Sequence, residues 1–404
     1  MTIVSRDAPV VGALDRLPRF LREQGGDRPV RLFVDPALVD SPIHGAVRSA
    51  IGRADRHTTH VVEGGTSLDD IDGAARSLPP GAQVIGLGGG TVMDRVKLLA
   101  LAAGDPACAR TLVLATAQRP GFVFLSGRAC RRMPLIVVPT TVGTGAESSR
   151  TACLRLGHGK RLVYGTALRP DAVVLDPLAT ATLPTWLLVE GVLEAVIRVL
   201  SYYVGHHGDR QRSDRRAEEV LVELVRLGDD VVRRVPDGSA VPDSARLRIA
   251  TLSGRTHRDD MHEGLAPFSD KCWPLANELS MAAGCRKLTA LAVVAPVLWR
   301  RVSAGGACWG SATRLARIWS AVRSVRPELD EDPAVGFVGL LDAWGIDRTI
   351  SRPDADILAQ DTAKAWALGL PMLHGVTPEE LRSVFDEALS RPGDTVSALR
   401  EEVI

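Results

Sequence analysis

Lysine is scarce in this chain. Among 49 basic residues only Lys97, Lys160, Lys271, Lys287 and Lys364 are lysines. The bias looks like that of a GC-rich coding sequence, and it makes each lysine worth examining. A surplus of one charge is missing as well. The formal net charge is +1 and the basic residues are scattered, which argues against nucleic acid as the main partner. No apolar run approaches the ~18 residues of a membrane span. The opening, MTIVSRDAPVVGALDRLPRF, lacks a basic start followed by an unbroken apolar core. No secretory signal and no membrane association are therefore expected, and a cytoplasmic location is. Six cysteines (Cys108, Cys130, Cys153, Cys272, Cys285, Cys308) are widely spaced, with no C-x-x-C pair. They read as reduced thiols, mostly packed as small apolar residues. No internal repeat or low-complexity tract is present.

What remains is an ordinary globular composition, 45% apolar and 24% charged, in 404 residues, enough for two domains. The most informative stretch is QVIGLGGGTVMDRVK, Gln83 to Lys97. Gln83 to Leu87 is a short apolar run that reads as a strand buried on both faces. Gly88, Gly89 and Gly90 follow, and Thr91 then opens a segment with apolar residues at Val92, Met93, Val96, Leu98 and Leu99, which suits a helix. A strand, a glycine turn and a helix N-terminus form an anion site, because unpaired N–H groups and the positive end of the helix dipole point over the glycines. A tight turn without a ligand is the plainer alternative.

Around this stretch the chain alternates strand and helix. Up to about Pro29 it reads as a loose lead-in with a short helix near Ala13 to Glu23. Strands are expected at Val30 to Val34, Thr59 to Val62, Thr111 to Ala115, Leu135 to Val138 and Ala172 to Leu175. Helices are expected near Ile43 to Ala54 and Leu68 to Ser77. Such spacing means a doubly wound, mostly parallel sheet. Asp35 ends the first of these strands. It suits a ribose diol and equally an Asp-Pro turn. Pro139 to Ser149 is a loop of hydroxyls and glycines, able to wrap a ligand with N–H and Thr donors. A hairpin-like RLGHGKRLVYG follows.

From Leu183 the pattern turns helical, with helices expected at Trp186 to Tyr203, Arg216 to Val232, Leu247 to Gly254, Pro274 to Gly284, Leu288 to Val302 and Thr377 to Leu389. The last has Thr377 and Glu380 placed as a capping box. An α/β nucleotide-binding domain over 1–182 and an all-helical domain over 183–404 are expected.

These residues resemble a known superfamily. GGGTVMDRVK resembles the GGGSxxDxAK signature of iron-containing alcohol dehydrogenases, and PTTVGTGAES their PTTxGTGSE loop. RPDAVVLDPLATATLP is similar to the strand and LP corner joining their two domains, and GVTPEELRSVFDEAL to their closing helix. The likeness runs in order from Val30 to Leu389. Dehydroquinate synthases, glycerol dehydrogenases and maleylacetate reductases share the architecture. The lysine- and asparagine-rich loop that follows PTT in dehydroquinate synthase is missing here, whereas GVLEAVIR does resemble its metal-bearing helix.

The resemblance implies NAD across the sheet of the first domain, with NADP less favoured. Gly88, Gly89, Gly90, Thr91 and Asp94 would line the dinucleotide, Asp35 would hold the adenosine ribose, and Thr140, Thr141 and Thr144 would flank the nicotinamide. It also implies a homodimer, and an interdomain cleft for a small-molecule substrate.

The family holds a divalent metal between an acidic residue and histidines. Here the acidic position falls on Glu194, and the histidine positions on Arg198, Trp273, Asn277 and a residue near Arg286. Arginine is always protonated and Trp has no lone pair to offer, so neither replaces an imidazole. No metal is expected. Glu194 and Arg198, four apart on one helix, can pair. Arg198 and Arg286 suit the stabilisation of an alkoxide or the clamping of an anion, and a structural ion pair in a retired site is the alternative. Glu194, Asn277 and His262 are candidates for handling the proton. Lys160, in GHGKR, falls where the family carries a basic residue facing the cleft, although a solvated loop lysine fits too. THRDDMHEG, which contains His262, also reads as a surface loop.

The expected activity is therefore metal-independent, NAD(P)-dependent reduction of a small carbonyl or conjugated, anionic substrate. A cyclase or lyase of the dehydroquinate synthase type and a non-catalytic relative are the alternatives.

Overall fold

The computed structural model describes residues 9–390 apart from 53–56, 106, 108, 111–115, 117–120, 128, 157–158 and 237. The strand expected over 111–115 lies outside the described residues. The chain divides into two compact units, one formed by Met1–Ala195 with Asp230–His262 and the other by Val196–Asp229 with Glu263–Ile404.

The strands of the first unit are β1 (Val10–Gly12), β2 (Val30–Val34), β3 (His57–Val61), β4 (Gln83–Gly88), β5 (Gly121–Phe124), β6 (Leu135–Pro139), β7 (Thr151–Leu156), β8 (Gly159–Tyr164) and β9 (Ala172–Val174). Six form one sheet in the order β1-β9-β6-β4-β2-β3, parallel at every pairing. The other three form a small sheet in which β7 and β8 make the antiparallel hairpin expected from RLGHGKRLVYG. Strands β4 and β6 are buried along their whole length, which is why they read as apolar runs without alternation.

Helices α1 (Leu17–Gly25) and α2 (Pro42–Ile51) cover one face, placing Phe20, Leu21, Ile43 and Val47 with Val30, Leu32 and Val34. Helices α3 (Leu68–Ser77) and α4 (Gly90–Gly104) cover the other, where Ile71, Met93 and Val96 share a core with Phe33, Val84 and Val137. Each such side chain, fully buried, contributes about 1.5–3 kcal/mol. The chain leaves β2 through α2 for β3, then returns across the sheet to β4 on the far side of β2. The C-terminal ends of β2 and β4 thus border a topological switch point, the place where open α/β sheets take ligands.

The structure departs from the sequence pattern at two points. Within the lead-in, Val10–Gly12 is an edge strand, and the Val10 N–H donates to the Asp171 carbonyl at 3.0 Å. Three residues show no periodicity of their own, so pairing with β9 makes this strand. The second departure concerns the boundary. The α5 helix (Thr185–Val204) runs straight through the division, as does α6 (Gln211–Arg234). The helices α7 (Asp243–Arg255) and α8 (Asp259–His262) then join the α/β unit. Long-range polar contacts hold them there. The Gly143 N–H donates to Ser253 Oγ at 2.9 Å, and Asp259 accepts from both Arg150 (2.8 Å) and Arg169 (3.1 Å).

The second unit continues with α9 (Cys272–Ala282), α10 (Lys287–Ser303), α11 (Ala312–Arg323), α12 (Pro333–Ala343), α13 (Ala355–Thr362) and α14 (Pro378–Leu389). Its best-buried polar cluster joins Arg314 to Asp214 through two hydrogen bonds of 2.8 and 2.7 Å. Arg314 also donates to the carbonyls of Tyr203 (2.9 Å) and Gly208 (2.7 Å), and its guanidinium lies over the Tyr203 ring. The capping box of Thr377 and Glu380 at the head of α14 is present as expected. Among the described residues no helix is long and apolar enough to cross a membrane.

Candidate functional site

One candidate site lies at the switch point of the α/β unit. Gly89 is the N-cap of α4, and the first helical bond runs from the Met93 N–H to the Gly89 carbonyl. Helix geometry therefore leaves the N–H groups of Gly90, Thr91 and Val92 without acceptors inside the helix. Thr91 itself is exposed. Two threonines lie over the turn. A methyl group added at Gly89 would come within 3.1 Å of Thr141, and one at Gly90 within 3.2 Å of Thr144. Asp35 stands beside Gly88, its Cβ 3.3 Å from where a Gly88 methyl would sit. One of its oxygens accepts from the Ala37 N–H at 3.0 Å. The turn reading of Asp35 is thus correct, and the carboxylate lies beside the glycine turn.

The loop carrying the threonines is pinned at several places. The Thr140 N–H donates to the Gly88 carbonyl at 3.0 Å. Gly143 has φ +99°, and its α-carbon faces the backbone of Gly191 on α5 so closely that an added methyl would lie 2.5 Å from it. His257 packs under Gly145, its Nε2 lying 3.1 Å from the Thr144 carbonyl. Gly143→Ala meets both a left-handed backbone and a steric clash, so a loss of about 1–3 kcal/mol is expected, read as a lower melting temperature. An unchanged melt would show that the loop gives way freely.

Two residues of the glycine signature turn inward. Asp94 Oδ2 accepts the Cys153 N–H at 3.0 Å and so anchors β7. Lys97 is fully buried, and its ammonium donates to Ser149 and Thr151. The resemblance counts Asp94 among the dinucleotide-lining residues; here its oxygen holds a strand. In the sequence Lys97 stands out as the last residue of the glycine signature and as one of five lysines. Lys160 lies on β8, half-buried, opposite Arg155.

A separate cluster lies in the helical unit. Arg198, near the C-terminal end of α5, is 3% exposed, and its guanidinium carbon sits 5.1 Å from the centroid of the Trp273 ring. A desolvated cation–π contact of this kind is worth up to ~2 kcal/mol. Asp270 sets it up. Its carboxylate accepts the N–H groups of Cys272 (2.9 Å) and Trp273 (3.3 Å) at the start of α9, and it also takes the hydroxyl of Ser201 on α5. Burial pushes the Asp270 carboxyl up, and these hydrogen bonds oppose it. One turn beyond Trp273, Asn277 is buried, and its Oδ1 has no hydrogen-bond partner. Such an acceptor costs about 1–3 kcal/mol until something donates to it. Arg286 is exposed at the N-cap of α10, where its charge helps hold the Asp347 carboxyl below the usual range, after the hydrogen bonds from Thr349. Glu194 lies one turn before Arg198 on α5.

His262 ends α8 with Nε2 2.8 Å from the Thr256 carbonyl. That contact makes Nε2 the protonated nitrogen, held by a backbone oxygen. The cysteines do not follow the expected packing: of the five described, all free, only Cys272 is buried, and burial pushes its thiol up.

The donor set does not fit a divalent metal. A guanidinium and an indole stand where imidazoles are needed, and among the described residues no three His, Cys, Asp or Glu side chains gather as ligands. The glycine turn, the helix N-terminus and Asp35 do fit a dinucleotide.

A parallel α/β unit with a glycine-led helix at its switch point, followed by a helical unit, is the architecture of the iron-containing alcohol dehydrogenases. The profile of iron-containing alcohol dehydrogenase matches residues 10–177. Long-chain-alcohol dehydrogenase 1 of Geobacillus thermodenitrificans is 24% identical over 395 residues, 94% of each chain. Phosphonoacetaldehyde reductase of Streptomyces viridochromogenes is 34% identical over 251 residues, 60% of this chain and 58% of that one. NADH-dependent butanol dehydrogenase A of Thermotoga maritima has the same fold, with a TM-score of 0.78 at 18% identity over 96% of this chain and 99% of that one. The family match thus covers the α/β part of the chain, and the fold of the whole chain is that of the iron-containing alcohol dehydrogenases.

Proposed function

We propose that this chain is an alcohol dehydrogenase-like oxidoreductase that works without a metal, reducing a small carbonyl or conjugated substrate that carries an anionic group. One observation carries this reading: the positions given to metal-binding imidazoles hold Arg198 and Trp273, stacked on each other and largely shielded from water. A guanidinium fixed by a ring is a preorganised donor for a developing alkoxide, or for a carboxylate or phosphonate gripped through two N–H groups. The aligned relative named as a phosphonoacetaldehyde reductase supports an anionic aldehyde.

The first turn of α4 and the glycines would hold the pyrophosphate, and Asp35 the ribose diol. A carboxylate there repels a 2′-phosphate, which favours NAD over NADP. When bound, the nicotinamide supplies a hydride at C4. Arg198 would orient the carbonyl and take up the charge on its oxygen. Asn277 has no proton to titrate, so its acceptor oxygen would fix a donor group of the substrate. His262 is engaged with Thr256, which leaves Glu194 as the group we assign to the proton.

Titration with NADH and NADPH, followed by nicotinamide fluorescence, should give saturable binding with NADH the tighter ligand. No binding of either nucleotide by folded protein would overturn the reading. Protein purified without chelator should carry well below stoichiometric zinc or iron and lose no activity to chelator. A stoichiometric metal held at Glu194 would remove the role given to Arg198.

A further inference from the structure

Lys97 stands apart from the other buried charges of the first unit. Its side chain is wholly enclosed, and it faces oxygen acceptors with no carboxylate among its hydrogen-bond partners. The ammonium donates to Ser149 Oγ at 2.9 Å, to the Ser149 carbonyl at 3.3 Å and to the Thr151 carbonyl at 2.9 Å. An ammonium carries three donors and no acceptor, so these contacts use the whole group.

What they connect matters. Ser149 closes the loop that leaves β6, and the loop opens with the Thr140 N–H on the Gly88 carbonyl. The loop is thus fastened to the strand–glycine–helix element at both ends, through the backbone at one and through Lys97 at the other. Between the fastenings, Thr141 and Thr144 lie over Gly89 and Gly90.

We infer that Lys97 is a positioning residue for dinucleotide binding: its span from α4 to Ser149 and Thr151 sets the gap between the glycine turn and the threonine loop. This rests on the dinucleotide reading above. A lysine that merely filled space would affect stability alone. This one makes the affinity depend on its own protonation. A neutral amine offers two N–H groups and one lone pair, so one of the three contacts is lost unless the Ser149 hydroxyl turns from the Ala146 and Thr151 carbonyls to donate back. Burial pulls Lys97 down to about 8, while the charges of Asp94, Glu147 and Cys153 favour the ammonium and Arg169 opposes it. The brace is therefore complete below about pH 8 and weakens as the pH rises through that value. Dinucleotide affinity should fall in the same direction.

The test is an NADH titration from neutral to strongly alkaline pH on the wild-type chain, Lys97→Met, Ser149→Ala, and Lys97→Cys alkylated to aminoethylcysteine. The wild type should weaken with a one-proton alkaline limb. Lys97→Met should bind about tenfold more weakly at neutral pH, the scale of one charge-assisted hydrogen bond, and show no limb. Alkylation should restore both the affinity and the limb. If Lys97→Met fails to fold, Ser149→Ala is read instead, and weaker binding with an intact melt supports the role. Wild-type affinity in the folded variants, or an alkaline limb that survives in Lys97→Met, overturns the inference and leaves the proposed function standing. Wild-type protein that binds no NADH at any pH overturns the proposed function itself.

Discussion

Arg198→Ala should abolish turnover while leaving NADH affinity within a small factor of wild type. The expected loss is about 10²–10³-fold in kcat, the cost of removing one preorganised donor from a developing oxyanion. Arg198 is buried against Trp273 in the helical unit, whereas the groups assigned to the dinucleotide all lie in the α/β unit, so the two effects separate. Arg198→Lys refines the result. A lysine keeps the charge but lacks the planar fork that stacks on the ring and grips two oxygens, so only partial activity should return. Steady-state kinetics beside an NADH titration read both quantities, with circular dichroism to confirm folding. Turnover equal to wild type in Arg198→Ala would make the residue a structural plug and the site a retired one.

The second large effect concerns stability. Arg314→Met should destabilise the helical unit by about 3 kcal/mol, because it strips the buried Asp214 of two charge-assisted hydrogen bonds and leaves Arg210 as its cationic partner. Asp214 is wholly buried and takes two hydrogen bonds from Arg314 and others from Arg210. Burial alone would raise its pKa, yet the hydrogen bonds and charges of Arg314 and Arg210 outweigh it and hold the carboxyl at about 2, below the ordinary 3.8. Because the folded value is the lower one, this contribution is complete above about pH 4 and lost as the pH falls through about 2. Denaturation followed through the acid range should show the unit weakening there. The double variant Arg314→Met, Asp214→Leu removes that pair together and should recover part of the loss, with Arg210 keeping its bond to the Glu263 carbonyl. A double variant as unstable as the sum of the singles would show that the pair is not coupled.

The sequence was most legible where local chemistry decides the structure. The strand–glycine–helix element, α3, and the capping box of α14 all lie where period and capping residues put them, because each is specified within about a dozen neighbours. Contacts between distant segments were not legible. Nothing in Val10–Gly12 announces a strand, nothing in THRDDMHEG shows that Asp259 will sit between Arg150 and Arg169, and no spacing places Arg198 over Trp273. Asp94 and Lys97 were recognisable as parts of a signature, yet only the fold shows them turned toward β7 and the loop.

The membership of α7 and α8 in the α/β unit has a consequence for biosynthesis. When residue 195 has left the ribosome, the first unit still lacks Ser253 for the Gly143 N–H and Asp259 for Arg150 and Arg169. Those partners emerge only after the chain has also made the intervening piece of the helical unit, several seconds later at ~5–20 residues per second. During that interval the Gly143 N–H and the guanidiniums of Arg150 and Arg169 are met by water, and the loop that carries Thr141 and Thr144 is not yet fastened to α7.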